Sequence, residues 1–291
     1  RLPVYGRQHF RESVLDSGAP DPKTAGRTVH EDDSIRLWTL DDDVLIASIK
    51  TKVHAIGPGV VEGLLRGVEL AETGYQGLVI WSPDEPFSYG ADLNAMLPTF
   101  MKGGAKAIEP EEKKLQDAML RIRYAATPVV AAIRGMALGG GCEVAVHCAR
   151  RVAAMESYVG LVEVGVGLIP GGGGLTCIAR RAAEMAAAGG ASADLFTFLR
   201  EGFTSAAMAK VGTSAIESRK LGYLLEDDVI VPNKDELLFV AIAQAKALHA
   251  SGWRAPQKRL FPVAGRSAKA TIMGQLANMR DGGFISAHDF H

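Results

Sequence analysis

An α/β domain, with helices laid against a buried sheet, is the fold class this sequence predicts. Strand-like runs (VLIASI, GLVIWS, PVVAAI) alternate with helix-like runs from residue 44 to about residue 150, the pattern of strand–helix–strand units. The carboxy-terminal third is mostly helical in pattern.

Taken in order, residues 1–34 read as a connector, because SGAPDPKTAG is rich in glycine, proline and small polar residues. The main body is expected over 35–222, with 223–291 a mostly helical region of the same domain. An acidic turn precedes the strand Val44–Ile49. GPGVVEGLLRGVELAETG is a helix with Pro58 near its start and Gly74 just past its end. Gly77–Ser82 is a short buried strand, and PDEPFSYGADL a loop leading to a short helix. EPEEKKLQDAMLRIRYAAT is an amphipathic helix opened by acidic residues, which suit the positive end of the helix dipole. PVVAAI then runs as a strand into Gly139, Gly140 and Gly141. Beyond Ala154 strands thin out: VGVGLIPGGGGL is a loop, Leu175–Ala188 a helix, and 194–222 holds short helical pieces. DDVIVP is a brief strand, NKDELLFVAIAQAKALHASG a helix capped by Asn233, and SAKATIMGQLANMR another helix.

A chain of 291 residues makes one large domain or two ordinary ones. Its 32 lysines and arginines against 33 acidic residues are scattered, which argues against nucleic acid as a partner. The first residues lack the pattern of a secretory signal. Arg134 and Glu143 interrupt the best candidate for a membrane span. Three cysteines without a C-x-x-C pair suggest a reduced, cytoplasmic protein. The sequence opens at Arg1 without a methionine and closes on GGFISAHDFH, so a piece of a longer protein is expected.

The stretch VVAAIRGMALGGGCEVAVHCARRVAA raises the chemical question, because bare glycines and Glu143 sit inside apolar sequence. A helix leaves its first N–H groups unsatisfied, and glycines let a substrate atom approach them closely. Donors near Gly140 and Gly141 would stabilise charge developing on a carbonyl oxygen, with Glu143 a candidate acid or base. Alone, such a run more often permits a tight turn, and a first-turn glutamate more often complements the dipole. Two further features shift that balance: a second glycine turn, Tyr89-Gly90-Ala91-Asp92, and a second carboxylate, Glu163, in an apolar loop. His147 reads as a hydrogen-bonded core histidine and Cys142 as a packing residue, and no second histidine stands at metal-ligand spacing. The glycine clusters at 139–141 and 171–174 lack the marks of a P-loop or a dinucleotide site.

Three stretches, FSYGADL, PVVAAIRGMALGGGCEVAVHC and VGLVEVGVGLIPGGGG, resemble the crotonase, or enoyl-CoA hydratase/isomerase, family from about residue 41 to residue 174. LPVYGRQHF and MRDGGFISAHD resemble a bacterial subgroup in which a 3-hydroxyacyl-CoA dehydrogenase half precedes a hydratase half. The resemblance implies a crotonase-like spiral of ββα units with a helical C-terminal region, commonly assembled as trimers or dimers of trimers. It implies backbone N–H groups at Tyr89 and Gly140 that hold an acyl-CoA thioester oxygen, each such donor contributing about 3 kcal/mol in the transition state. Glu143 and Glu163 would share the water added across C2=C3 of trans-2-enoyl-CoA in fatty-acid β-oxidation, and CoA would lie along Gly90, Ala91, Asp92 and Leu93. No metal or cofactor is implied for this chain, since NAD would belong to the dehydrogenase half. Tyr89 stands where alanine is usual, Val162 where proline is, and Ala149 where aspartate is. The rival readings are a Δ3-Δ2-enoyl-CoA isomerase, which can work with one carboxylate, and an idle acyl-CoA-binding module of the same fold.

Overall fold

The computed structural model describes residues 21, 23–190 and 193–291, so most of the expected connector lies outside the described residues. Its end is not a connector. Arg27–Glu31 (β1) pairs antiparallel with Ile35–Thr39 (β2), and β2 with Leu45–Ile49 (β3). Arg36 explains why this segment is held. It is buried in the middle of β2, its Nε donates to Thr28 Oγ1 (2.9 Å), and its terminal nitrogens donate to Lys23 O and Ala25 O (both 2.8 Å). Its guanidinium also stacks 4.7 Å from the Trp38 ring centroid.

From β3 onward all pairing is parallel, through Leu78–Ile80 (β4), Val129–Leu138 (β5), Arg150–Gly160 (β6) and Val229–Val231 (β7), giving one seven-stranded sheet in sequence order. Parallel strands need crossovers, and the helices supply them. Pro58–Gly74 (α1) links β3 to β4, while Leu93–Gly103 (α2) and Ala105–Arg123 (α3) link β4 to β5. Gly140–His147 (α4) links β5 to β6, and Gly174–Ala188 (α5), Leu195–Ala207 (α6) and Ala215–Lys220 (α7) lead on to β7. Leu237–Ala250 (α8) follows, then Gly265–Asp281 (α9) and Ala287–Phe290 (α10) as the helical carboxy-terminal region. These strand-and-helix units repeat along the chain as the expected spiral.

Both faces of the sheet are covered, which is why its strands read as continuous apolar runs. On β3, Leu45, Ala47 and Ile49 face the core with α1, α3 and α4, while Val44 and Ile46 face a second core with Trp38, Trp81 and α8. Hence α8 and β7 are built into the sheet body although they follow residue 222. Strand β6 is a finding that sequence did not foresee. Its alanines, arginines and glutamate have modest strand preference, yet it lies between β5 and β7, where a parallel ladder on each side fixes it.

The β5–β6 register shifts between Ile133 and Gly135, dividing the pair into two ladders. The second ladder, Gly135–Leu138 against residues 157–160, is extended by bridges Ser88↔Ala137 and Val159↔Gly212. This short ladder carries the site. A buried ion pair anchors the other end of β6: Asp228 accepts from Arg151 N (2.9 Å), Arg151 Nε (2.6 Å) and Leu225 N (2.6 Å), with both side chains almost fully enclosed. Removing one partner leaves the other charge buried alone. Asp228→Asn is therefore expected to lower the unfolding free energy by about 3–5 kcal/mol in urea denaturation.

Candidate active site

The turn at 88–92 is sewn to the fold on two sides. Against β5, Ser88 N donates to Met136 O and Leu138 N to Ser88 O, both at 3.0 Å. Against the segment after β3, Ile56 N donates to Gly90 O (2.8 Å) and Asp92 N to Ile56 O (3.1 Å). The Ser88 hydroxyl donates to His54 O (2.7 Å) and accepts from Gly90 N (3.0 Å). This turn then meets the start of α4 backbone to backbone. Gly90 has φ +99°, and a β-carbon there would lie 2.9 Å from both Gly140 N and Leu138 O. A β-carbon on Gly141 would lie 2.6 Å from Ser88 O. Only glycine fits.

Two N–H groups at this contact have no hydrogen-bond acceptor among the described residues. Gly140, in the first turn of α4, has no acceptor within the helix, and Ala91 N–H donates to no acceptor among the described residues. They are neighbours, since a β-carbon on Gly140 would lie 3.2 Å from Ala91 N. Tyr89, the donor expected beside Gly140, has its N–H 3.3 Å from Val53 O, a long hydrogen bond to a residue with the unusual φ of +50°. Ala91, expected along CoA, lies two residues on, and its N–H is the one beside Gly140 with no acceptor among the described residues. The Tyr89 side chain is 47% exposed.

Glu143, one turn into α4, is 2% exposed. Its Oε1 accepts from Gly174 N (2.8 Å) and its Oε2 from Gly172 N (3.0 Å). Burial pushes its carboxyl up to about 7, opposed by these two N–H groups and reinforced by the charge of Glu163. The cradle tolerates no side chain, because a β-carbon on Gly172 would lie 2.5 Å from Oε2. The glycine run 171–174 is thus a carboxylate cradle, a role the sequence reading missed.

Glu163 opens a single 3-10 turn, Glu163–Val166. Its Oε1 lies over Gly139, 3.3 Å from where a β-carbon would sit, and its Oε2 is buried without a hydrogen-bond partner. Burial raises its carboxyl above the usual range, with the charge of Glu112 adding to the effect. Glu112, on α3, is the second group that sequence reasoning missed. Its carboxylate fills the space over Gly171, and Gln116, one turn on, donates to Gly171 O (2.9 Å). The acidic opening of that helix had been read only as complementing the dipole.

A cavity of about 370 Å³ lies beside the turn, between α1 and the α2–α3 pair, floored by Ile56, Val61, Leu65, Met96 and Leu115. Ala91, Asp92 and Glu112 also line it, whereas Gly90 and Leu93 flank it. Asp92 caps α2 through Ala95 N (3.1 Å). His147 is a core histidine as expected, 3% exposed, with Nδ1 2.7 Å from Glu143 O. No helix among the described residues is long and apolar enough to cross a membrane.

Comparison with known proteins gives one family model, "Enoyl-CoA hydratase/isomerase", matching residues 46–193. The chain is 38% identical over 259 residues to "Probable 3-hydroxyacyl-CoA dehydrogenase" of Bacillus subtilis, covering 87% of this chain and 31% of that protein. It is 36% identical over 130 residues to "Peroxisomal bifunctional enzyme" of Cavia porcellus, covering 44% of this chain and 17% of that protein. The chain therefore spans less than a third of the length of these relatives. Among solved structures, an enoyl-CoA hydratase from Bacillus anthracis superposes with a TM-score of 0.59 at 21% identity, covering 88% of this chain and 86% of that one, a likeness of fold.

The raised carboxyl of Glu143 has a thermodynamic consequence. Its folded-state value near 7 exceeds the unfolded 4.5, so the native state binds more protons between those pH values and stability falls as pH rises through that window. The full shift corresponds to a loss of about 3 kcal/mol by pH 8. Glu143→Gln is expected to flatten this slope, leaving the contribution of the raised Glu163 carboxyl, measured as the difference between mutant and wild-type unfolding free energies from pH 5 to 8.

Proposed function

This chain belongs to the enoyl-CoA hydratase/isomerase family, and from that premise we propose that it adds water across the C2=C3 double bond of a trans-2-enoyl-CoA thioester. The observation that carries the reading is the convergence of two free N–H donors, Ala91 and Gly140, with two carboxyls of raised proton affinity at one glycine turn.

The thioester oxygen accepts from Ala91 N–H and Gly140 N–H, at the positive end of α4. As the water oxygen bonds to C3, the π electrons move toward the carbonyl and the oxygen gains enolate charge. Donors fixed by the fold stabilise that charge without reorganising, each contributing about 3 kcal/mol. One carboxylate takes a proton from water and the other carboxyl delivers a proton to C2, so the pair is unchanged overall. The two are coupled, the charge of Glu163 helping to raise the Glu143 carboxyl. A carboxyl near 7 suits this exchange at neutral pH. Presence of both glutamates favours hydration over double-bond isomerisation, for which one carboxylate suffices. The acyl chain would run into the apolar cavity floored by Val61, Leu65, Met96 and Leu115.

In the longer protein that the relatives suggest, a dehydrogenase half would oxidise the 3-hydroxyacyl-CoA made here, and NAD would bind there rather than in this chain. Leu97, Phe100, Met101 and Ile169 are exposed, which fits burial against another copy of the chain or that half. Three free, buried cysteines fit a cytoplasmic setting.

Glu143→Gln and Glu163→Gln each keep size and remove proton exchange. Either is expected to cut hydration by about 10²–10⁴-fold, followed by loss of the conjugated thioester's ultraviolet absorbance. The double mutant should fall far less than the product of the singles, because the two act as a unit. Near-normal hydration in either single mutant would overturn the shared-water mechanism.

A further inference from the structure

At the other end of α4, a second cavity of about 260 Å³ opens between the ends of α3 and α4, the middle of α5 and the segment after α8. Its walls carry Arg123, Arg151, Arg180, Arg181 and Arg254, with Trp253 beside them. Two of these cations are accounted for by protein groups. Arg151 is paired with Asp228, and Arg181 donates to Gly222 O and Tyr223 O.

Arg123, 5.9 Å from the Tyr124 ring centroid, and Arg180 are satisfied only in part. The Nε atoms of both are buried with no hydrogen-bond partner. No carboxylate among the described residues lies within ion-pair distance of Arg123, and the nearest to Arg180 is the exposed Glu184, at 3.7 Å. Arg180 Nη2 does donate to Cys177 Sγ (3.3 Å), and the thiol is brought to about 7, burial raising it while His147 and the neighbouring arginines lower it more. Even with that thiol ionised, Glu184 and Asp228 leave an excess of positive charge on the cavity walls. Burial and the Arg180 charge together make the protonated Arg123 less favourable. Like charges held together with unsatisfied donors are costly unless something neutralises them. Planar N–H forks match the oxygens of a phosphate group.

We propose that this arginine-lined cavity is a binding site for a phosphate group, separate from the acyl-CoA site and independent of the hydratase reading. Arg123 and Arg180 present their guanidinium groups to its oxygens, Arg254 closes the outer side, and Trp253 lies against whatever the phosphate is attached to. Trp253 is held in place by its own Nε1–H bond to Ala125 O (3.3 Å).

The test titrates the 291-residue chain with inorganic phosphate and, separately, with phenyl phosphate, chloride holding the ionic strength constant. Melting temperature and tryptophan fluorescence are read together. Trp38 and Trp81 are buried in the core, so a fluorescence change reports Trp253. Phosphate is expected to raise the melting temperature by about 2–4 °C once it exceeds its dissociation constant several-fold. Arg123→Gln and Arg180→Gln should each weaken binding by about 10-fold or more, since each removes a charged hydrogen bond. In phosphate-free buffer the same variants should melt at or above the wild-type temperature, because they relieve repulsion; arginines with a merely structural role would lower it. Arg254→Gln, at an exposed position, repeats the binding test without risk to folding. Equal affinities point to the free anion, and tighter phenyl phosphate to an ester stacked on Trp253. No response to either compound at millimolar concentration, or a response unchanged in the variants, overturns the proposal.

Discussion

The contact between the turn at 88–92 and the first turn of α4 is the constraint on which the rest of the structure hangs. Two backbones meet there with no side chain between them, and a single β-carbon on Gly90 or Gly141 would close the gap. The sheet order makes the meeting possible. β4 and β5 are adjacent and parallel, so the chain leaving β4 and the chain leaving β5 emerge at the same edge. The second β5–β6 ladder then carries the Ser88 bridge that holds the turn in place.

Around that contact the carboxyl of Glu143 is kept buried at some cost. An ionised carboxylate in such a place needs donors, and among the described residues those offered are two backbone N–H groups, of Gly172 and Gly174. They hold the group in position but do not bring its proton affinity down to that of a solvated glutamate. A group balanced in this way exchanges a proton readily near neutrality, and it also draws on the stability of the fold. The two apolar cores on either side of the sheet offset what this region gives up.

Much of this was legible in the sequence because local pattern and final structure agree. α1 begins at Pro58 as its sequence predicts, β3 and β4 fall in the apolar runs, and α5 closes at Ala188. What escaped is non-local. β6 becomes a strand through its neighbours, not its composition, and β1 is fixed by the reach of Arg36 across the strand pair. At the site, Glu143, Glu163 and Gly140 were readable as types of group in the right surroundings. The hydrogen bond from Tyr89 N–H to Val53 O was not, because it depends on where the Val53 backbone, at φ +50°, directs its carbonyl. Glu112 and the cradle at 171–174 are brought in by helix and loop packing, from residues whose spacing carries no sign of it.

The glycine wall also separates what can vary in this protein from what cannot. At Gly90, Gly141 and Gly172 the wall is bare backbone, so point substitution has almost nothing there to adjust except by breaking the contact. The cavity floor is different: Met96 and Leu115 project from the α2–α3 pair, on side chains that can be exchanged without touching a single N–H donor. In the proposed hydratase, new preferences for the length or branching of a substrate can therefore be acquired on those helices while the donors stay fixed, as tools are changed on an unmoving spindle.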